Sequence, residues 1–165
     1  MKNYRYVLMI FFVLVICLFF IRLVLPSQID DISPGISCED KLLKWADVYY
    51  VVPKFNNISM TADNVWCEEI LGMDKELALH GVYHSYNEFG VDRSEEYLDE
   101  SIAIFEECFG FVPERFKPPQ LAINDGNKRL VREKMEIDLI WNQIFHKVYH
   151  CGDTGMFPNW FIRVF

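Results

Sequence analysis

One apolar run dominates the N-terminal quarter of the chain and sets it apart from everything that follows. Every side chain from Val7 to Ile21 is apolar, and Arg22 is the first charged residue after the run. A helix needs roughly 20 apolar residues to cross a bilayer. The run and its flanking residues reach that length if the Arg22 side chain extends to the interface. We therefore expect a transmembrane helix in residues 1–25 and one folded domain in residues 26–165.

The charges before the run predict how this helix is oriented. Lys2 and Arg5 favour a cytoplasmic N-terminus, which places the domain outside the cytoplasm of a single-pass membrane protein. The alternative is a signal peptide, whose cleavage would make the domain a secreted protein. Signal peptides end in small residues of the Ala-x-Ala type, whereas residues 21–27 read IRLVLPS. We therefore favour an uncleaved anchor.

The predicted domain is strongly acidic. The whole chain has a net charge of −8, and the three basic residues before Pro26 leave about −11 for residues 26–165. Such a charge argues against nucleic acid or anionic lipid as the main partner. Nothing in the sequence identifies a protein partner.

Four cysteines lie in the domain and a fifth lies in the apolar run. Cys38, Cys67, Cys108 and Cys151 would face an extracytoplasmic, oxidising space, whereas Cys17 would lie in the membrane. Four cysteines can pair in three ways, and the sequence does not choose among them.

Short apolar runs alternate with amphipathic stretches in the domain, which is typical of an α/β fold built from β/α units. Strands are predicted over residues 28–32, 48–52, 76–79, 115–117, 137–141 and 144–149, and helices over residues 38–46 and 63–71. A third helix is predicted to begin after a cap at Asp92 or Ser94 and to end at Gly110, and a fourth to begin after a cap at Asn124 or Asp125 and to end at about Met135. Functional residues of such folds lie at the carboxyl ends of the strands.

Two polar pairs follow predicted strands and carry the chemistry of a metal site. His80 and His84 are four residues apart, so they would share one face of a helical turn, and imidazole is a common ligand of zinc. Asp30 and Asp31 offer one carboxylate for a metal and a second for a general base. Each pair alone also fits a structural role, as incidental histidines or as turn-forming acids. Gly81 stands where the zinc proteases with a His-Glu-x-x-His motif have their glutamate.

The third segment is RFKPPQ, residues 115–120. Its two prolines would stiffen a loop, and Lys117 beside them can orient a carboxylate. In chain order, IDDISP (residues 29–34), ALHGVYH (residues 78–84) and RFKPPQ resemble the motifs of the polysaccharide deacetylases, carbohydrate esterase family four. The resemblance is strongest to the DUF2334-type branch, and the nearby Glu88-Phe89 pair adds to it.

This resemblance implies a distorted or incomplete (β/α) barrel and hydrolysis of N-acetyl groups on an extracytoplasmic polysaccharide or glycan. Asp30 would be the base for the attacking water. Asp31, His80 and His84 would bind a divalent ion, namely zinc or an alternative such as cobalt, which lowers the pKa of its water. The implied substrate-binding residues are Pro118, Pro119 and Gln120.

The chain also departs from the family pattern. Lys117 stands in place of an arginine and lacks its bidentate fork, and Gln120 stands in place of a tyrosine. We expect the domain to lack the final family motif, which carries the histidine that protonates the leaving amine. His146 and His150 are the candidates to replace that histidine.

A closed barrel usually needs about 200 residues or more, which also favours an incomplete one. Two alternatives to the deacetylase therefore stay open. The first is a catalytically impaired domain of the same fold that binds a glycan or a protein, and the second is an anchored structural protein without a metal site.

Overall fold

The computed structural model describes residues 2–165, so that only residue 1 of the predicted anchor lies outside the described chain. The first element is one long helix, α1 (Lys2–Val24). Its stretch Tyr4–Val24 is long and apolar enough to cross a membrane, and a signal sequence meets the same criteria.

The remaining elements form an α/β domain. Its strands are β1 (Gln28–Ile32), β2 (Val48–Val51), β3 (Lys54–Phe55), β4 (Ile58–Ser59), β5 (Glu76–Leu79), β6 (Arg115–Phe116), β7 (Glu136–Ile137) and β8 (Val148–His150). Its helices are α2 (Asp40–Trp45), α3 (Asn64–Gly72), α4 (Glu95–Phe109), α5 (Asp125–Arg132), α6 (Ile140–Phe145) and α7 (Asn159–Val164).

Six of the strands form one parallel sheet in the order β7-β6-β5-β2-β1-β8, and β3 pairs with β4 in a small hairpin. All residues of β1 and β2 are buried, as expected of central parallel strands that are covered on both faces. Because β1, β2 and β5 run side by side in one direction, the residues after them meet at one edge of the sheet.

The predicted strands at β1, β2 and β5 are confirmed, and so are several predicted helix ends. The Ser94 side chain accepts a hydrogen bond from the backbone of Tyr97 at the start of α4, and Gly110 ends that helix in a left-handed conformation. Asn124 caps α5 in the same way as Ser94 caps α4.

The predicted strand over residues 137–141 is wrong beyond Ile137, because residues 140–145 form α6. The strand predicted over residues 144–149 begins only at Val148. A short apolar run has no periodicity that separates a buried strand from a helix. In the structure, the Arg22 guanidinium of α1 donates a hydrogen bond to the Ile144 carbonyl of α6.

The described strands form an open sheet with β7 and β8 at its two edges. β7 pairs with β6 and β8 pairs with β1, and no pairing joins β7 to β8. The parallel α/β architecture is therefore present, whereas closure into a barrel is not observed.

The four cysteines of the domain form two disulfides, which resolves the pairing that the sequence left open. Cys38–Cys151 joins the loop after β1 to the residue that follows β8, and Cys67–Cys108 joins α3 to α4. Cys17 is free and exposed on α1.

Candidate metal centre

The end of β1 delivers two carboxylates to one cavity of about 430 Å³. Neighbouring residues of a regular strand point to opposite faces. Asp31 departs from that pattern because its φ is +67° and the pairing of β1 with β2 is irregular between Ile29 and Ile32. Both Asp30 and Asp31 consequently line the cavity, and both are buried.

The two histidines come from the loop that follows β5. The spacing predicted a helical turn, but residues 80–88 form an irregular loop in which Gly81 and His84 have positive φ angles. A Cβ atom on Gly81 would lie 2.6 Å from Pro119 Cγ, so only glycine fits this crossing. The loop brings the two imidazole rings to a centroid distance of 5.1 Å.

The metal-ligating atoms of Asp31, His80 and His84 lie within 4.8 Å of one another. Asp31 Oδ1 is 2.7 Å from His84 Nε2 and 3.4 Å from His80 Nε2. This oxygen is buried and has no hydrogen bond of good geometry in the described chain. A buried carboxylate oxygen that faces two imidazole nitrogens is stabilised by a cation between them, so the donor set fits a divalent metal ion.

Further hydrogen bonds orient two of these ligands, His80 and Asp31. The Nδ1–H of His80 donates to the Lys117 carbonyl at 2.9 Å, which leaves Nε2 of a neutral imidazole free to bind a metal. The Thr154 hydroxyl donates to Asp31 Oδ2 at 2.7 Å. The site is therefore held by β1, by the loops after β5 and β6, and by the segment after β8.

The electrostatics of the three residues match these contacts. Burial acts to raise the pKa of the Asp31 carboxyl, but the imidazoles of His80 and His84 hold that pKa well below its usual range. Burial acts to lower the pKa of His84, whereas its interactions with Asp31 and nearby carboxylates outweigh burial and raise that pKa. Asp31 is thus a stable anion at neutral pH.

Asp30 is paired with a buried cation. Lys117 Nζ donates to Asp30 Oδ1 and to Gln28 Oε1, each at 2.8 Å, and lies 3.7 Å from the centre of the Tyr50 ring. Burial lowers the pKa of Lys117, and the Asp30 carboxylate only partly offsets this effect. The second oxygen of Asp30 stays available on the side of His150, whose Nε2 is 3.6 Å away.

The two candidate acids of the C-terminal segment separate in space. His150 ends β8 opposite Asp30 and lines the cavity. His146 lies after α6, where its Nδ1 is 2.8 Å from the Pro26 carbonyl oxygen, and it is not among the residues that line the cavity.

The remaining predicted residues form one wall. Pro118 and Gln120 line the cavity. Pro119 is buried and packs against Gly81. The Gln120 side-chain carbonyl accepts a hydrogen bond from the Asn87 backbone, which ties this wall to the histidine loop.

Comparisons with known proteins agree with this arrangement at the level of the fold. No protein-family model matches the chain, and no curated protein matches it. A similar solved structure is the polysaccharide deacetylase Bc1974 from Bacillus cereus, with 13% identity over 68% of this chain and 57% of that one, at a TM-score of 0.52. The α/β domain with its parallel sheet resembles the polysaccharide deacetylase fold.

Two further structures carry the same fold. Peptidoglycan deacetylase PdaC from Bacillus subtilis is 19% identical over 68% of this chain and 56% of its own, with a TM-score of 0.50. The Bc1960 peptidoglycan N-acetylglucosamine deacetylase is 13% identical over 67% of this chain and 54% of its own, with a TM-score of 0.51. The chain thus spans little more than half the length of these proteins.

Sequence reasoning missed two residues that support the site. Glu88, noted only for its resemblance to the family, is buried and accepts hydrogen bonds from the Val82 and Tyr83 backbones and from the Tyr97 hydroxyl. It holds the histidine loop in shape. Thr154 carried no signal in the sequence, because its role depends on where the segment after β8 returns to β1.

Proposed function

We propose that residues 26–165 form a metal-dependent hydrolase that removes N-acetyl groups from an extracytoplasmic glycan. The observation that carries the proposal is the approach of Asp31, His80 and His84 around one buried carboxylate oxygen, with Asp30 beside them in an open cavity. The open sheet then corresponds to an incomplete barrel. The finer assignment, to the DUF2334-type branch, rests on the ALHGVYH segment and Glu88-Phe89.

Asp31, His80 and His84 would hold the metal ion. When bound there, the ion polarises the amide carbonyl and lowers the pKa of the attacking water. One carboxylate with two imidazoles suits zinc, and cobalt is an alternative with similar ligand preferences. Three protein ligands also leave a position open, as in catalytic zinc sites.

Asp30 acts as the general base in this proposal. Lys117 Nζ donates to Asp30 Oδ1 and is itself held by Gln28 Oε1, which leaves Asp30 Oδ2 free to accept a proton. This oxygen takes a proton from the water that attacks the acetyl carbon. Pro118 and Gln120 form the adjacent wall against which the sugar lies.

His150 completes the reaction as the general acid. The bond between the carbonyl carbon and the nitrogen breaks, and His150 Nε2 gives a proton to the leaving amine. The products are acetate and a free amino sugar. The distance of 3.6 Å from His150 Nε2 to Asp30 Oδ2 keeps the acid next to the base.

We further propose that α1 is an uncleaved anchor with a cytoplasmic N-terminus. Arg22 is only 8% exposed and its guanidinium contacts α6, so the end of α1 packs against the domain. The two disulfides are typical of an oxidising extracytoplasmic space. Lys2 and Arg5 before the apolar run favour this orientation.

The test uses the full chain in detergent, loaded with zinc. We expect stoichiometric zinc and release of acetate from N-acetylated chitooligosaccharides or peptidoglycan fragments. The His84→Ala variant should neither bind zinc nor release acetate, whereas the matched control His146→Ala should do both. Bound zinc without acetate release from any such glycan would instead indicate the catalytically impaired binding domain. Failure to bind zinc would indicate a structural protein.

A further inference from the structure

The domain lies alongside the outer half of α1. Val15, Leu18 and Phe19 are partly buried and Arg22 is buried, while every other residue from Tyr4 to Val24 is exposed. These four positions form one face of the helix. At 1.5 Å per residue, Val15 lies about 14 Å below Val24 along the helix axis.

This depth brings part of the domain to the level of the membrane. The stretch Tyr4–Val24 rises about 31 Å, which is close to the thickness of a hydrocarbon core of about 30 Å. A bilayer that surrounds the whole stretch therefore reaches the depth of Phe19, whose ring contacts Phe165 of the domain. The domain surface next to this contact must therefore tolerate lipid.

Two chains of contacts connect α1 to exposed apolar side chains of α6 and α7. On one side, the Phe19 ring lies 6.2 Å from Phe165, whose ring stacks on Phe161, and Phe161 contacts Trp160.

On the other side, Arg22 bonds the Ile144 carbonyl, and the adjacent Phe145 ring stacks on Trp141. Trp141 and Trp160 are 66% and 68% exposed. We call the exposed residues Ile140, Trp141, Trp160 and Val164 the α6–α7 surface.

The charge distribution sets the same region apart. The domain has 24 acidic residues, but Asp153 is the single one after position 138. Its carboxylate accepts a hydrogen bond from the Asn159 backbone at the start of α7. Lys147 and Arg163 lie in the same segment. A surface of exposed tryptophan and aliphatic side chains next to few acidic residues is typical of the membrane–water interface.

We propose that the α6–α7 surface docks on the outer leaflet of the bilayer that α1 spans, with Trp141 and Trp160 at the lipid interface. The proposal rests on the anchor role of α1 and is independent of the metal site. We assign lipid as the partner of this surface because the ring contacts that reach Trp160 begin at Phe19. Phe19 lies on α1, the helix that spans the membrane in this proposal.

The test measures tryptophan fluorescence of the full chain in phosphatidylcholine nanodiscs with or without brominated acyl chains. α1 contains no tryptophan, so quenching reports on the domain alone. We expect brominated lipid to lower the wild-type emission by roughly half, and the W141F/W160F variant to lose most of this quenching. The control Trp66→Phe removes a ring that packs against Phe109 between α3 and α4, so the quenched fraction should rise.

The outcomes separate docking from anchoring. If the chain resists carbonate extraction but Trp141 and Trp160 are not quenched, docking is overturned and the anchor stands. If carbonate extracts the chain, the anchor fails and docking fails with it. Unquenched tryptophans in a chain that cross-links as a dimer would show a second copy on this surface, which also overturns docking.

Discussion

Lys117 Nζ lies 2.8 Å from Asp30 Oδ1, and both side chains are buried. Lys117 follows β6 and Asp30 lies in β1, and these two strands are separated in the sheet by β5 and β2. The pair therefore ties together two strand ends that share no backbone hydrogen bonds. It also holds one oxygen of Asp30 in place in the cavity that the candidate metal ligands line.

Replacing Lys117 with methionine should strongly destabilise the domain. The change leaves the Asp30 carboxylate buried without a counter-charge, which costs about 3–5 kcal/mol of unfolding free energy. Denaturant unfolding of the detergent-solubilised chain measures this loss. The double variant D30N/K117M should recover most of it, since it removes both charges. A loss below about 1 kcal/mol for Lys117→Met would contradict the buried ion pair.

Replacing Thr154 with valine should weaken metal binding without unfolding the domain. Valine keeps the shape of threonine but removes the hydroxyl that donates to Asp31 Oδ2 at 2.7 Å. Loss of such a supporting contact costs about 10-fold or more in metal affinity. Titration against a chromophoric chelator gives the affinity. Thr61→Val is the matched control, because Thr61 bonds Ser59 outside the cavity. Equal affinities of the two variants would refute the orienting role.

Replacing Gly155 with alanine should displace His150 and slow the proposed reaction. A Cβ atom on Gly155 would lie 2.7 Å from His150 Cε1, so the ring must move. If His150 protonates the leaving amine, kcat for acetate release falls about 100-fold, while zinc stoichiometry is unchanged. Gly72→Ala is the control, since no atom lies within 4 Å of its added Cβ. Unchanged kcat in Gly155→Ala would exclude His150 as the acid.

Tyr97 should contribute to a loss of stability at high pH. Burial and the hydrogen bond to Glu88 raise the pKa of the folded Tyr97 phenol above the unfolded value of about 10. Above pH 10 the unfolded chain loses this proton first, so the unfolding free energy falls as pH rises.

The variant Tyr97→Phe lacks this proton, and its unfolding free energy should fall less steeply between about pH 9 and pH 11. Denaturant unfolding across this range measures the slope. Tyr86→Phe, which alters an exposed side chain, should keep the wild-type slope. A Tyr97→Phe slope equal to that of the wild type would rule out a raised pKa of the Tyr97 phenol in the folded chain.

Local signals in the sequence predicted much of the secondary structure. The β-branched and aromatic run at β2 and the caps at Ser94, Gly110 and Asn124 act through neighbouring residues, so they can be read from the chain alone. The strand predicted over residues 137–141 failed beyond Ile137, because α6 begins at Ile140. The apolar pattern of that segment fits a helix and a strand equally well.

The sequence by itself determined which chemical groups are present and the direction of the strands that carry them. It identified Asp30, Asp31, His80 and His84, and parallel β/α units place residues after different strands at a common edge. Only the tertiary structure decided that Asp31 turns into the cavity, that Lys117 reaches Asp30, and that His150 rather than His146 lies beside Asp30. Those outcomes depend on backbone angles and on contacts between segments far apart in the chain, which no local pattern of residues encodes.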